Sequence, residues 1–177
     1  HTTRVIAEVV APTRALGLER SHDFVRRATA EQPARVGAAA LSFATHDVTR
    51  LPLPGAPADL LFARYLLAHL PEPEAHVAAW ATQLRANGRL LLEEVEAIET
   101  DVAPFASYLE AAAALLRRNG TELYLGGRLD RLRAPGGTRR VLSRCATIAP
   151  SSGEVARIFG LNLSVWRGDE GVRAQHG

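Results

Sequence analysis

The run Ala58-Asp-Leu-Leu-Phe-Ala63 is apolar at every position but one. A strand with one wet face alternates apolar and polar residues. One that is apolar almost throughout is covered on both sides, as in mainly parallel sheets flanked by helices. The neighbouring segments predict such helices and strands. Thr2 to Ala11 sets Val5, Ile6, Val9 and Val10 at helical spacing and closes at Pro12. Ala15 to Glu19 reads as a short strand ending in an acid, and Ser21 as the N-cap of a helix over His22 to Glu31 that stops at Pro33. A further strand is expected over Leu41 to Thr45, and a rigid proline loop over Leu51 to Pro57. An amphipathic helix is expected over Pro71 to Asn87 with its stop at Asn87-Gly88, then a strand over Arg89 to Val95. Alternating helices and strands of this kind indicate an α/β layered sheet.

The second half is less regular. Ala103 to Arg118 predicts a long helix closed by Asn119-Gly120, and Leu125 to Leu132 a short one. Pro135-Gly136-Gly137 reads as a turn, Arg140 to Ile148 as a strand and Ser152 to Phe159 as a last helix. Cys145, inside that apolar strand, is expected to be buried. No repeat or linker divides the chain, so one domain is expected over residues 1–177.

Composition removes several function classes. The 21 basic and 19 acidic side chains leave a net charge of +2, too dilute for a chain whose main ligand is a nucleic acid. No apolar run approaches the roughly 20 residues of a membrane span. A single cysteine excludes an internal disulfide framework and a Cys-rich zinc site. The six histidines include no i, i+4 helical pair with an accompanying carboxylate, so no metal is expected. A cytoplasmic globular domain is the expectation. There is no Met and residue 1 is His, so a piece of a longer protein or a processed product is expected; the all-Arg, Ala-rich composition fits a GC-rich coding sequence.

Open α/β sheets bind ligands beyond the carboxyl ends of their strands. Glu19 stands at one such end, where a carboxylate can accept from both hydroxyls of a ribose; a solvated strand-end glutamate has the same sequence. Asp47 follows the next strand, placed to accept from an adenine amino group with Val48 packed on the ring, or simply to form a turn with its own backbone. The segment Asp59 to Glu74 carries a strand into Arg64 and Tyr65 and then, on a short apolar turn, His69. Tyr65 also suits ordinary core packing, and His69 a hydrogen-bonded residue at the start of a helix.

Four stretches carry a resemblance: Ala15-Leu-Gly-Leu-Glu-Arg-Ser21, His46-Asp47-Val48 with Leu51-Pro-Leu-Pro54, Asp59 to Glu74, and Leu84-Arg-Ala-Asn-Gly-Arg-Leu-Leu-Leu-Glu93. In this order and spacing the chain resembles the class I S-adenosylmethionine-dependent methyltransferases, particularly the small-molecule type akin to ubiquinone/menaquinone-biosynthesis enzymes. The resemblance implies a Rossmann-like sheet with helices on both faces and S-adenosylmethionine as cofactor. It implies that Glu19 holds the ribose with Arg20 and Ser21 beside it, that Asp47 and Val48 hold the adenine, and that the Arg64 backbone faces the methionine end. Residues 1–100 would form the cofactor-binding part, and residues 101–177 substrate-side helices with a partial terminal hairpin. The family's first strand ends in a glycine-rich loop about 20 residues before the ribose acid. Counted back from Glu19, that loop falls before His1, so the first strand is expected to be missing. The last strand is expected to be missing too: Val165-Trp166-Arg167 is short for a hairpin partner, and Gly168 to Gly177 reads as a tail.

Methyl transfer needs a proton acceptor only when the acceptor atom must lose a proton. His69 suits that role, with an ordinary pKa of about 6.5. Glu94, with Glu93, is the second candidate; an ion pair of one with a nearby Arg, the other facing solvent, is the plainer expectation. Phe105, Tyr108 and Leu109 lie near one stripe of the long helix, as substrate cover or as core. Arg128, Arg131, Arg133, Arg139 and Arg140 form a run that suits an anionic substrate or a solvated face. The partner expected is a small-molecule methyl acceptor. Two rivals remain: a nicotinamide-dependent oxidoreductase, which would also use Glu19 but has no Tyr-x-x-x-Lys pair here, and a non-catalytic scaffold of methyltransferase shape.

Overall fold

The structure, a computed structural model, describes residues 2–166. It divides into two compact units, one of residues 1–62 and 76–91, the other of residues 63–75 and 92–177.

The first unit opens with helix α1 (Thr2–Val10), strand β1 (Arg14–Glu19) and helix α2 (His22–Glu31). Ser21 caps α2 as its sequence requires, accepting the Phe24 N–H on its hydroxyl. A two-residue strand β2 (Arg35–Val36) and strand β3 (Ala39–Thr45) complete a three-stranded sheet in the order β1-β3-β2. β1 runs parallel to β3, from Arg14 opposite Ala40 to Glu19 opposite Thr45. β2 runs antiparallel to β3. Both α1 and α2 pack against this sheet. Gly17 shows why the layers fit so closely: a Cβ there would stand 2.6 Å from the Phe43 ring and 2.7 Å from the Thr3 hydroxyl. Ala7, Ala39, Leu41, Leu53, Val77 and Trp80 form the buried apolar core of this unit.

Strands β4 (Ala58–Arg64) and β5 (Leu84–Glu93) form a separate two-stranded sheet. The Ala58 N–H donates to the Gln83 carbonyl, and the Tyr65 N–H to the Glu93 carbonyl. β4 is where its sequence predicts it, but only Ala63 is buried. The expectation of cover on both faces is corrected, because this sheet is only two strands wide. Helix α3 (Pro73–Ala81) is shorter than predicted. Residues 84–88 join β5 instead of continuing the helix, and Asn87, with φ of 64°, keeps the turn character expected before Gly88.

In the second unit, helix α4 spans Ala103–Arg118 as predicted and buries Leu109, Ala112 and Ala113. Phe105 and Tyr108 stack at 5.8 Å, and both meet the Phe159 ring edge-on at 5.2 and 5.6 Å. The two rings are half-buried in this aromatic cluster, and Leu109 is the member of the stripe that lies in the core. Helix α5 (Gly126–Arg131) begins where the Gly126 N–H donates to the Val95 carbonyl. A Cβ on Gly126 would lie 2.7 Å from the Glu96 backbone nitrogen, so only glycine fits this approach. Helix α6 (Ser152–Trp166) closes the described chain.

Two expectations for this part are corrected. Residues 140–148 form no strand: they are exposed and join no ladder among the described residues, and the Arg140 and Ser143 side chains tie them to residues 129–132. β-propensity needs a partner ladder to be realised, and none is offered here. Cys145 is accordingly exposed, not buried. Val165 and Trp166 lie in α6 and not in a hairpin strand. Arg167 and the expected tail Gly168 to Gly177 lie outside the described residues.

Candidate functional site

Because β1 and β3 are parallel and in register, their carboxyl ends open side by side. The His46 N–H donates to the Glu19 carbonyl at 2.9 Å, which fixes that edge. Glu19, Arg20 and Ser21 leave it from β1; Asp47 and Val48 leave it from β3. The Glu19 carboxylate accepts the Ser21 N–H on Oε1 at 2.8 Å, and Oε2 has no partner among the described residues. On Asp47, Oδ1 accepts the Thr49 N–H at 3.0 Å and the Thr49 hydroxyl at 2.7 Å. Its Oδ2 is 4.0 Å from Arg50. The Thr49 bonds hold the Asp47 carboxyl below the usual range, and the charges of Arg50 and Arg20 add to this. The Arg20 effect shows that the β1 exit and the β3 exit share one neighbourhood.

Each acid thus spends one oxygen on backbone or hydroxyl donors of its own turn; the second oxygen of Asp47 faces Arg50, and that of Glu19 has no partner among the described residues. Glu19 Oε2 and Asp47 Oδ2 are acceptors only, the chemistry that ribose hydroxyls and an adenine amino group require. Sequence reasoning placed these residues together but missed two supports. Thr49 is legible as the third residue of an Asp-x-Thr turn. Trp80, whose Nε1–H donates to the Val48 carbonyl at 2.9 Å, carries no local signal at a separation of 32 residues.

Arg64, His69 and Glu94 all belong to the second unit. The Arg64 guanidinium pairs with Glu93 at 3.0 Å and lies 4.6 Å over the Tyr65 ring. Glu93 therefore forms the expected ion pair. Glu94 does not face solvent: Oε1 accepts the Leu66 and Leu67 N–H groups at 2.9 and 2.8 Å. Burial raises the Glu94 pKa, against the pull of those amides. His69 ends a 3₁₀ turn, Leu67–His69, and its pKa is lowered by desolvation although part of the ring stays exposed. Its imidazole makes no hydrogen bond among the described residues.

The same unit holds a cleft of about 480 Å³ walled by Leu67, Leu70, Ala113, Tyr124 and Leu125. Arg128 on its rim is not free to draw an anion, since Glu74 holds it through two nitrogens, at 2.5 and 2.6 Å, and Glu122 lies 3.5 Å away. Among the described residues no cluster of His, Cys, Asp and Glu could hold a metal, and no helix is long and apolar enough to cross a membrane.

A family model described as a methyltransferase domain matches residues 1–92. No curated protein matches the chain.

Proposed function

This chain belongs to the methyltransferase-domain family, and from that premise we propose that it transfers a methyl group from S-adenosylmethionine to a small molecule. The observation that carries the reading is the pair of acids at one sheet edge. Glu19 and Asp47 leave adjacent parallel strands; Glu19 keeps Oε2 without a partner among the described residues, and Asp47 Oδ2 meets only the exposed Arg50 at 4.0 Å. Glu19 takes the ribose hydroxyls, Arg20 and Ser21 border them, and Asp47 and Val48 take the adenine. Arg64 meets the methionine end.

When bound, the cofactor supplies a methyl group on a positively charged sulfur, which departs as a neutral thioether. The leaving group is already activated, so the protein's main task is to hold acceptor and methyl carbon in line. His69 takes the proton where the acceptor is a hydroxyl or amine. Its lowered pKa keeps the ring neutral and receptive at pH 7. Glu94, the second residue offered for that role by its sequence position, has Oε1 occupied by the Leu66 and Leu67 amides, so His69 is the acceptor proposed. The cleft beside Leu67 offers apolar walls for an acceptor of the kind handled by ubiquinone/menaquinone-biosynthesis-type enzymes. The site is proposed to act in the cytoplasm, without nucleic acid.

A second proposal concerns completeness. β1 ends one sheet and β4 ends the other. Their outer backbone groups have no ladder partner among the described residues, a costly arrangement if buried. We propose that a strand outside the described residues covers these margins.

Calorimetry tests the main reading. S-adenosylhomocysteine should bind, NADH should not, and Glu19→Ala and Asp47→Ala should each weaken binding about tenfold or more, as loss of a charged hydrogen bond does. Undiminished binding in both variants overturns the assignment. A folded chain that binds neither ligand favours the scaffold.

A further inference from the structure

The loop after β4 holds a backbone shape that its own residues do not favour. Tyr65 has φ of 52°, in the left-handed region that bulky side chains rarely adopt. Its N–H is secured by the Glu93 carbonyl at 2.9 Å. The next two amides, of Leu66 and Leu67, open the 3₁₀ turn and so have no carbonyl of that turn to reach. Both converge on one atom, Oε1 of Glu94, at 2.9 and 2.8 Å. Leu67 and Ala68 are only 1% and 5% exposed, so water cannot stand in for that oxygen. The other carboxylate oxygen, Oε2, is shut away from solvent without a partner. A carboxylate in this state is poorly placed to receive a substrate proton. It is well placed to hold a loop.

We propose that Glu94 is a positioning residue, whose Oε1 clamps the Leu66 and Leu67 amides and thereby sets where His69 stands. The link to His69 is direct, because the His69 N–H donates to the Leu66 carbonyl at 3.0 Å. A shift of Leu66 is passed on to the imidazole within one peptide hydrogen bond. Acceptor geometry, not charge, carries this role. Its catalytic meaning rests on the reading of His69 as proton acceptor; the clamp itself does not.

Two conservative variants separate geometry from charge. Glu94→Gln keeps an oxygen at the same reach and loses the charge. Glu94→Asp keeps the charge and falls one methylene short. Amide hydrogen exchange at Leu66 and Leu67, and NMR titration of the His69 ring between about pH 5 and 8, are read on the whole chain without cofactor or acceptor. Failure here is therefore distinct from failure of the methyl-transfer reading. Glu94→Gln should match the parent within about twofold in exchange, with the His69 titration unmoved. Glu94→Asp should exchange at least about tenfold faster at both amides, as expected for losing two hydrogen bonds at about 1 kcal/mol each. It should also carry the His69 pKa toward its ordinary value of about 6.5. The proposal is overturned if Gln disturbs these signals or if Asp leaves them intact. Should Glu94→Asp fail to fold, the Gln variant still decides, because lost protection there refutes a charge-independent clamp and parent-like protection upholds it.

Discussion

The Trp80 indole reaches across 32 residues to donate its Nε1–H to the Val48 carbonyl at 2.9 Å. It thereby pins the loop that carries Asp47 to the buried face of α3, where Trp80 is 4% exposed. Trp80→Phe keeps most of the ring volume and leaves the carbonyl unpaired, so it should cost about 1–2 kcal/mol. Trp80→Ala adds a cavity and should cost about 3–5 kcal/mol. Urea denaturation gives both values. A Phe variant as stable as the parent would remove the hydrogen bond from the account.

Gly17→Ala sets two effects against each other. Replacing a strand glycine restricts the unfolded chain and gains about 0.4–1 kcal/mol where the backbone permits. Here the new Cβ would meet Phe43 at 2.6 Å and Thr3 at 2.7 Å, and overpacking of that kind costs about 1–3 kcal/mol. The clash should win. A net loss of stability in thermal or urea unfolding is expected, and trimming Phe43 to Leu in the same chain should recover part of it.

Asp47 should report its turn through its pH dependence. Its folded pKa lies below the ordinary value, chiefly because of the Thr49 hydroxyl. Its contribution to stability is therefore complete above the unfolded pKa and is lost as pH falls through the folded one. Thr49→Ala removes that hydroxyl and leaves the backbone N–H. The Asp47 titration, followed by carbon NMR, should rise part of the way to the ordinary value. A titration that does not move would show the backbone bond to be sufficient.

His69 titrates with the same sign for a different reason. Burial lowers its folded pKa, so protonation favours the unfolded chain. Stability should sag as pH falls from about 6.5 through the folded value, and His69→Gln should flatten that sag. In methyl transfer to a protic acceptor, His69→Ala should lower kcat by about 10²–10⁴, the usual worth of general base catalysis. S-adenosylhomocysteine affinity should stay within about twofold of the parent. Unchanged turnover would leave the imidazole without a part in the reaction.

How far the fold can be read in advance depends on whether a segment's signals are local. α2 is fully legible because its cap, Ser21, and its stop at Pro33 stand beside the periodic residues. α4 is legible because its apolar stripe and the Asn119-Gly120 stop agree. Residues 84–88 mislead for the opposite reason. Leu84 continues the helical spacing of α3, but pairing with β4, seen in the Ala58 bond to the Gln83 carbonyl, claims that stretch for a strand. Arg140 to Ile148 has strand composition but no strand to pair with among the described residues, and Val141, Leu142 and Ile148 stay 60–73% exposed. At the site, Glu19, Asp47 and their order along parallel strands are readable from spacing. The Glu94 contact with Leu66 and Leu67 is not, since it joins positions 28 and 27 residues apart by a side chain whose sequence neighbours suggest only an ion pair.

β1 has β3 on one side and, among the described residues, no strand hydrogen-bonded on the other. A bare strand margin is a template for any passing chain, and natural sheets blunt such margins with charge or cover. Here Arg14 and Glu19 guard only the two tips, while Leu16 and Leu18 between them are half-buried. At high concentration the isolated polypeptide should be prone to stack margin to margin. A charged residue in place of Leu16 or Leu18 is the first remedy for keeping it in solution.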